Sequence, residues 1–455
     1  MSFDQGCALL HFSRNGAFHE GASRLLVLER GEGPYVFDTD GRRYVDGLSS
    51  LFCAQIGYSY GEEMAAVAGE QLSRLAFNTM WGTAHPAALE LAQRLAEIMP
   101  AGLNRAFFTS GGSESVEAAW KIVRHYHLAN GEGQRTKAIA RRIAYHGVTL
   151  GALSLTGVPG YKEPFGPPAI ETIHVSNTNQ FRSKLQGEQL TRALLEELED
   201  AIDQAGPETV AMIIAEPVQN AGGCLTPPPG YWEGLRSIAD RHGIVLVADE
   251  VICGFGRLGE WLGSTRVGAQ PDVVTVAKGL TSAYAPMGAV LVSERIAAPL
   301  YEEGRTLLHG ITFGGHPLCA AIALRNLEIF ERDGVLENVR AREGHLRELL
   351  EGLRDLPIVG DVRGAGFFWA VELVKGEPER RLDADERERV LRGYMPGALR
   401  EARLIARADD RGDAVLQIAP PLIADDAVLE EIVEAMRIVL AGAGRLLGLG
   451  SPVAA

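Results

Sequence analysis

The run PDVVTVAKGL, Pro271 to Leu280, carries an apolar stretch straight into a lysine. Val273, Val274, Val276 and Ala277 read as a buried strand and Gly279 favours a turn, so Lys278 falls at the strand's carboxyl end. An amine there is solvated, paired or no longer an ammonium, and in the last case it is a nucleophile toward carbonyls and a carrier of protons. Its commonplace role is to reach the surface on its long stem. Three other apolar runs end the same way: Glu216 follows VAMIIA, Asp249 and Glu250 end IVLVADE, and Tyr145 with His146 end RRIAYHG. One polar strand end ordinarily caps a turn or helix. Four on one open sheet converge, because ligands bind outside the carboxyl ends of parallel strands.

A further segment, FFTSGGSESVEAAWKIV, passes from a strand through Ser110, Gly111, Gly112 and Ser113 into a helix. Small residues let the backbone approach an anion, and a new helix offers free N–H groups at its positive end. The same residues also read as a plain serine N-cap with Glu114 in the first turn. GFGRLG, Gly254 to Gly259, spells the dinucleotide fingerprint G-x-G-x-x-G, but it follows the acidic ADEV and precedes EWLGSTR instead of a long apolar helix. Taken together, a lysine, an aspartate on a neighbouring strand, an aromatic and a phosphate cradle meet the needs of pyridoxal phosphate. The amine condenses with the cofactor aldehyde, and the aspartate keeps the ring nitrogen protonated so that the ring draws electrons. The aromatic stacks on the ring, and the helix end holds the phosphate.

These side chains need a scaffold. The runs NRAFFTSG, RRIAYHG, VAMIIAEPV, GIVLVADEV, DVVTVAKG and MGAVLVSE alternate with helical patterns such as Ala87 to Met99 and Tyr231 to His242, which predicts an α/β fold on a buried, largely parallel sheet. This large, cofactor-binding unit is expected over residues 66–330. Residues 1–65 are expected to contribute to a smaller α+β unit, 331–455, and to the entrance of the site. In that unit LENVRAREGHLRELLEGLRDL reads as an amphipathic helix, GAGFFWAVELV as a strand, and Ala427 to Leu440 as a closing helix before a disordered Gly/Ala-rich tail. The proline-rich pieces VPGYKEPFGPP and LTPPPG read as ordered loops. A chain of 455 residues has room for such a core.

A net charge of -15 disfavours nucleic-acid and anionic-membrane partners. Five cysteines (Cys7, Cys53, Cys224, Cys253, Cys319) stand without C-x-x-C spacing, so neither a metal site nor a disulfide framework is expected. The amino terminus, with Asp4, holds no sustained apolar signal core, and no uncharged run approaches membrane-spanning length. A cytoplasmic location is expected.

From GRRYVDGLSSLFCAQIGY through SGGSES, YHGVTLGALSLTG, AEPVQNAGG, LVADEVICGFGRLGEWLGS, PDVVTVAKGLTSAYAPMGAVLVSE and HGITFGGHPLCAAIAL to IAPPLI, the chain resembles the class III aminotransferases of pyridoxal-phosphate fold type I. Within them it is most similar to the enzymes that pass amino groups from omega-amino acids or amines to pyruvate. The resemblance implies a large domain on a mostly parallel seven-stranded sheet and a small α+β domain built from both termini. It makes Lys278 the cofactor-binding lysine and proton shuttle, and Asp249 the partner of the ring nitrogen. Gly112 and Ser113 match the phosphate-binding pair, Tyr145 with His146 beside it the ring-stacking position, and Val251 the residue on the other ring face. Glu216 matches an acid near the ring's hydroxyl side. Thr312 matches a threonine that reaches the phosphate from the neighbouring subunit, which implies a homodimer with shared sites, or a tetramer. The sequence departs from the family in having SGGSES where an asparagine or threonine and then Ser-Gly-Ser-Glu-Ala is common; the glycine and serine that matter are kept.

Members that handle γ-aminobutyrate or acetylornithine typically carry an arginine after YHG or FHG, whereas Val148 here cannot pair with a carboxylate. The resemblance therefore implies primary amines, diamines or omega-amino acids as donors and pyruvate or a similar keto acid as acceptor, in a ping-pong cycle. Plant-like γ-aminobutyrate:pyruvate enzymes also lack that arginine, so γ-aminobutyrate stays among the donors. The amine group carries a mobile arginine that pairs with the acid and swings away for apolar donors; Arg407 stands at the matching position and Arg411 is the other candidate. The implied pocket wall is Leu51, Phe52, Met80, Trp81, Val148 and Ala221, with Phe52 where many relatives have tryptophan. An aminomutase or decarboxylase on this fold would share the lysine and aspartate. A cofactor-binding regulator would carry a helix-turn-helix, for which the sequence before Arg24 leaves no room.

Overall fold

The computed structural model describes residues 8–19, 25–100 and 102–450; Asp4, Cys7, Arg24 and the last five residues of the tail lie outside them. Near the amino terminus β1 (Leu28–Glu32), β2 (Tyr35–Asp38) and β3 (Arg43–Asp46) form an antiparallel meander. The central sheet follows: β4 (Leu103–Thr109), β5 (Lys137–Arg141), β6 (Thr172–Val175), β7 (Val210–Ala215), β8 (Val245–Asp249), β9 (Val273–Val276) and β10 (Gly288–Ser293). Their spatial order is β4-β10-β9-β8-β7-β5-β6, and β10 alone runs antiparallel to its neighbours. Every residue of β7, β8 and β9 is buried, as continuous apolar runs covered by helices on both faces must be. A last group comprises β11 (Val359–Ala365), β12 (Phe368–Leu373), β13 (Leu404–Ile405), β14 (Arg407–Asp409) and β15 (Val415–Ile418). Strands β11, β12, β15 and β14 make one sheet, while β13 pairs parallel with β3. The smaller layer is thus built from both ends of the chain, as the resemblance implied.

Four expectations need correction. RRIAYHG is not a strand beyond Arg141: β5 begins at Lys137 and ends at Arg141, because the fully buried Ala138, Ile139 and Ala140 are what the sheet covers. After Arg141 the chain turns, with Ile143 at φ +57, so Tyr145 and His146 sit on the following loop. GAGFFWAVELV is not one strand but a hairpin corner between β11 and β12, where Gly366 adopts φ +57 against the carbonyl of Arg257 and a side chain would collide with it. The expected tail is partly helix: Asp426–Leu446 continues past Leu440 through Gly442 and Gly444, and Gly442 lets the phenol of Tyr394 pack against the helix. VPGYKEPFGPP also holds two short helical turns, Pro159–Lys162 and Glu163–Phe165.

The helix Gly112–Ala129 runs under the sheet on its small face: Ser115, Ala118 and Ala119 are fully buried. Small residues bring its first turn close enough for the Ser115 hydroxyl to reach the carbonyl of Val276 at 3.1 Å and Thr109 Oγ1 at 2.7 Å. That pair of bonds pins the helix N-terminus between the carboxyl ends of β4 and β9, the edge where the sequence places its chemistry.

Candidate active site

Lys278 lies two residues beyond β9, at the start of a short turn, Lys278–Leu280, with φ +42. A non-glycine residue held there costs about 1–3 kcal/mol, which the full burial of Val273, Val274 and Val276, at about 1.5–3 kcal/mol each, outweighs. Asn326 holds the turn by donating to the carbonyls of Gly279 and Leu280 at 2.9 and 3.1 Å. The lysine nitrogen stands 5.3 Å from the centre of the Phe52 ring and makes no ion pair among the described residues. Burial lowers its basicity, against the opposing pull of Cys53 and Asp249.

Asp249 ends β8 and is held by three contacts. Val251 N–H and Thr275 Oγ1 both donate to Oδ1 at 3.1 Å, and Oδ2 lies 2.7 Å from His146 Nδ1. Beside a carboxylate Nδ1 is the protonated ring nitrogen, and a lone pair on Oδ2 remains for a further donor. Glu216, one residue past β7, accepts the Asn220 N–H on Oε2 at 2.9 Å, and burial pushes its carboxyl up. Glu250 turns the other way: it is fully buried and accepts N–H groups of Gly263 and Ser264 at 2.9 and 2.5 Å, so it anchors a turn and does not face the site.

At the phosphate-cradle segment, Ser113 Oγ accepts the N–H groups of Val148 and Thr149, both at 3.0 Å, and its own proton points to Thr149 Oγ1, also at 3.0 Å. Gly112 is close-fitted: a Cβ there would lie 2.7 Å from Val251 Cγ1. The first-turn N–H groups of a helix have no internal partner, and here they open beside Lys278 and Asp249.

The far wall is cationic. Arg411 grips Asp409 from Nε and Nη2 at 2.9 and 2.6 Å, and its guanidinium lies 5.6 Å from the Tyr145 ring centre. Burial opposes the Arg411 charge, and Asp409 outweighs it and raises the guanidinium's pKa. Arg407 approaches Asp409 only to 3.9 Å, and burial and the neighbouring Arg411 both push its guanidinium down. Tyr161 completes the wall at right angles to Tyr145, and Phe12 tilts against Tyr161 at 5.3 Å.

One cavity of about 390 Å3 gathers Leu51, Phe52, Gly112, Ser113, Tyr145, His146, Glu216, Asp249, Val251, Lys278, Arg407 and Arg411. Val148 is half-exposed just outside it and contributes its backbone, while Ala221 is fully buried behind the wall. Met80 and Trp81 line a different cavity, of about 670 Å3, with residues 306–311, and Thr312 follows that segment. Sequence reasoning missed Thr275, Tyr161, Asn220 and Asp409. Thr275 had a readable signal, a single hydroxyl inside VVTVA on the residue that pairs with Asp249 in the sheet. The GFGRLG segment forms turns followed by a four-residue helix, and Arg257 is buried, donating to the carbonyls of Phe367 and Pro420. It is no dinucleotide cradle.

The residues present fit pyridoxal phosphate: an unpaired amine, a carboxylate with a lone pair to spare, an aromatic ring and a glycine-opened helix N-terminus face one cavity. The comparisons agree. The chain is 46% identical over 439 residues to a probable aminotransferase of Mycobacterium tuberculosis, covering 96% of this chain and 93% of the relative. It is 37% identical to the putrescine–pyruvate aminotransferase of Pseudomonas aeruginosa, over 90% of this chain and 89% of that one. The crystal structure of a thermostable (S)-enantioselective omega-transaminase from Thermomicrobium roseum superposes with a TM-score of 0.92 at 40% identity, covering 96% and 97% of the two chains. The family model for class III aminotransferases matches residues 17–440, and the chain belongs to that family of pyridoxal-phosphate-dependent enzymes of fold type I.

Proposed function

We propose that this aminotransferase moves an amino group from a primary amine, diamine or omega-amino acid to pyruvate or a similar keto acid, in two half-reactions on one cavity. The observation that carries this is the pairing of an apolar wall, Leu51 and Phe52, with an arginine, Arg407, that has no close partner among the described residues. An apolar donor needs the first; the carboxylate of a keto acid needs the second. The donor and acceptor named for the Pseudomonas relative support the same pair.

Bound pyridoxal phosphate supplies an aldehyde to receive the amino group and a conjugated ring that draws electrons from the donor's C–H bond. In this reading Lys278 holds the cofactor and then, as a free amine of lowered basicity, takes and returns the proton at its Nζ. Asp249, oriented by His146, Val251 and Thr275, would pair through Oδ2 with the protonated ring nitrogen. The N–H groups of Gly112 and Ser113, with the Ser113 hydroxyl turned from Thr149, would hold the phosphate, and Tyr145, Val251 and Glu216, which line the same cavity, would hold the ring. A homodimer is part of the proposal: Trp81, Phe77, Leu308 and Phe313 are exposed apolar residues around the second cavity, where a partner would bury them and receive Thr312, Met80 and Trp81 at its own site. The division into 1–65, 66–330 and 331–455 is supported by the pairing of β3 with β13, and a cytoplasmic location by the four cysteines of the described residues, which are all free thiols. No helix among the described residues is long and apolar enough to cross a membrane.

The test is the visible absorption spectrum of the purified holoenzyme. The bound cofactor's visible band should fall when 1-phenylethylamine or putrescine is added and return on adding pyruvate; a band indifferent to both would remove this substrate pair.

A further inference from the structure

Two guanidiniums, not one, reach the substrate cavity, and a single carboxylate stands between them. Asp409 is almost fully buried and shared unequally: it holds Arg411 by two short contacts and a backbone N–H, and touches Arg407 only at 3.9 Å. The side chain of Arg411 is nearly as buried as that of Asp409, whereas Arg407 keeps about a quarter of its surface. Tyr145 and Tyr161 line the rest of this wall; of the two acids that line the cavity, Glu216 accepts the backbone N–H of Asn220 and Asp249 is held by His146, Val251 and Thr275. Among the described residues, the wall therefore carries one positive charge without a close partner and one that is cancelled.

We infer that Asp409 is the specificity-determining residue that limits the site to substrates with one carboxylate at this wall, by occupying Arg411 and leaving Arg407 alone to bind. The inference rests on the reading of the cavity as a keto-acid site. Removing the Asp409 charge frees a second guanidinium in the same cavity, and a dicarboxylate then finds two partners. Removing Arg411 has the opposite effect, because Asp409 is left buried without a cation and Arg407 is within reach to neutralise it. The arginine that should meet the substrate is then occupied.

The experiment measures binding of two unreactive acids, propionate and glutarate, to the holoenzyme by calorimetry, independently of turnover. Asp409→Asn should tighten glutarate relative to propionate by about tenfold, the scale of one added charge-assisted contact. Arg411→Gln should weaken propionate by a similar factor. The double variant, Asp409→Asn with Arg411→Gln, should lose both effects, since it restores one free cation and no competing anion. An unchanged glutarate-to-propionate ratio in Asp409→Asn, or propionate binding untouched in Arg411→Gln, overturns the inference. If Asp409→Asn does not fold, Arg411→Gln and the double variant decide it alone, by whether the second substitution restores propionate. Failure of the underlying keto-acid reading shows elsewhere, as absent spectral exchange in the wild-type holoenzyme.

Discussion

Arg407→Gln separates the two kinds of substrate. In the free enzyme the guanidinium gives up little at home, because its contact with Asp409 is 3.9 Å and a quarter of its side chain is open. What it contributes to a bound carboxylate is a charge-assisted, potentially bidentate contact in a half-buried wall, about 1.5–3 kcal/mol beyond water. Glutamine keeps the length and one donor but no charge, so most of that free energy is lost. The pyruvate half-reaction should fall about 10- to 150-fold in kcat/KM, and an aryl amine, which presents no anion to this wall, by less than about threefold. Stopped-flow absorbance of each half-reaction reads the two numbers separately. Equal losses for amine and acid would refute the assignment, since they would mean that Arg407 shapes the cavity and does not pair with the acceptor.

Other substitutions test the remaining roles. Lys278→Ala should cost at least about 10²- to 10⁴-fold in rate, the range for a lost acid–base group, while cofactor measured by absorbance stays bound through the phosphate cradle. Asp249→Asn, which keeps the shape but removes the charge held by His146 and Thr275, should retain cofactor and lose most of the rate; normal turnover would disprove its pairing with the ring nitrogen. Gly112→Ala sets a methyl against Val251 and should cost about 1–3 kcal/mol through overpacking, read as weaker cofactor retention on dialysis. Glu250, pushed up to about 7 by burial, binds its proton more tightly folded than unfolded. Its contribution is therefore full below the ordinary glutamate range, and stability falls by about 3 kcal/mol as pH rises from about 4.5 to 7. Urea unfolding of Glu250→Gln should lose that slope, whatever its absolute stability.

Lys278, Asp249 and Glu216 were legible because a buried parallel strand is an apolar run, and its first polar residue marks the sheet edge where ligands bind. The same logic overreached at RRIAYHG. There the strand is the short run Ala138, Ile139 and Ala140, and the conspicuous aromatic and histidine come later, on a turn. The site survived the error because that turn returns to the same edge, where His146 meets Asp249. Met80, Trp81 and Thr312 were reached only through resemblance, and within one chain Met80 and Trp81 line a cavity of their own, with Thr312 next in sequence to its Ile311.

The choice between Arg407 and Arg411 shows where spacing runs out. RADDR repeats charge at intervals of two, and on a strand that interval puts Arg407, Asp409 and Arg411 along one face. Alternation alone gives the aspartate two equivalent neighbours. The tie is broken by the turn after β14: the Arg411 N–H donates back to Asp409 Oδ1 at 3.2 Å, curling the chain so that the guanidinium arrives on the carboxylate it has just left. Arg407, fixed in the ladder opposite Gln417, has no such freedom and stays at 3.9 Å. A local turn thus decides which cation is spent inside the protein and which is left for the substrate, and that decision is invisible to any count of charges.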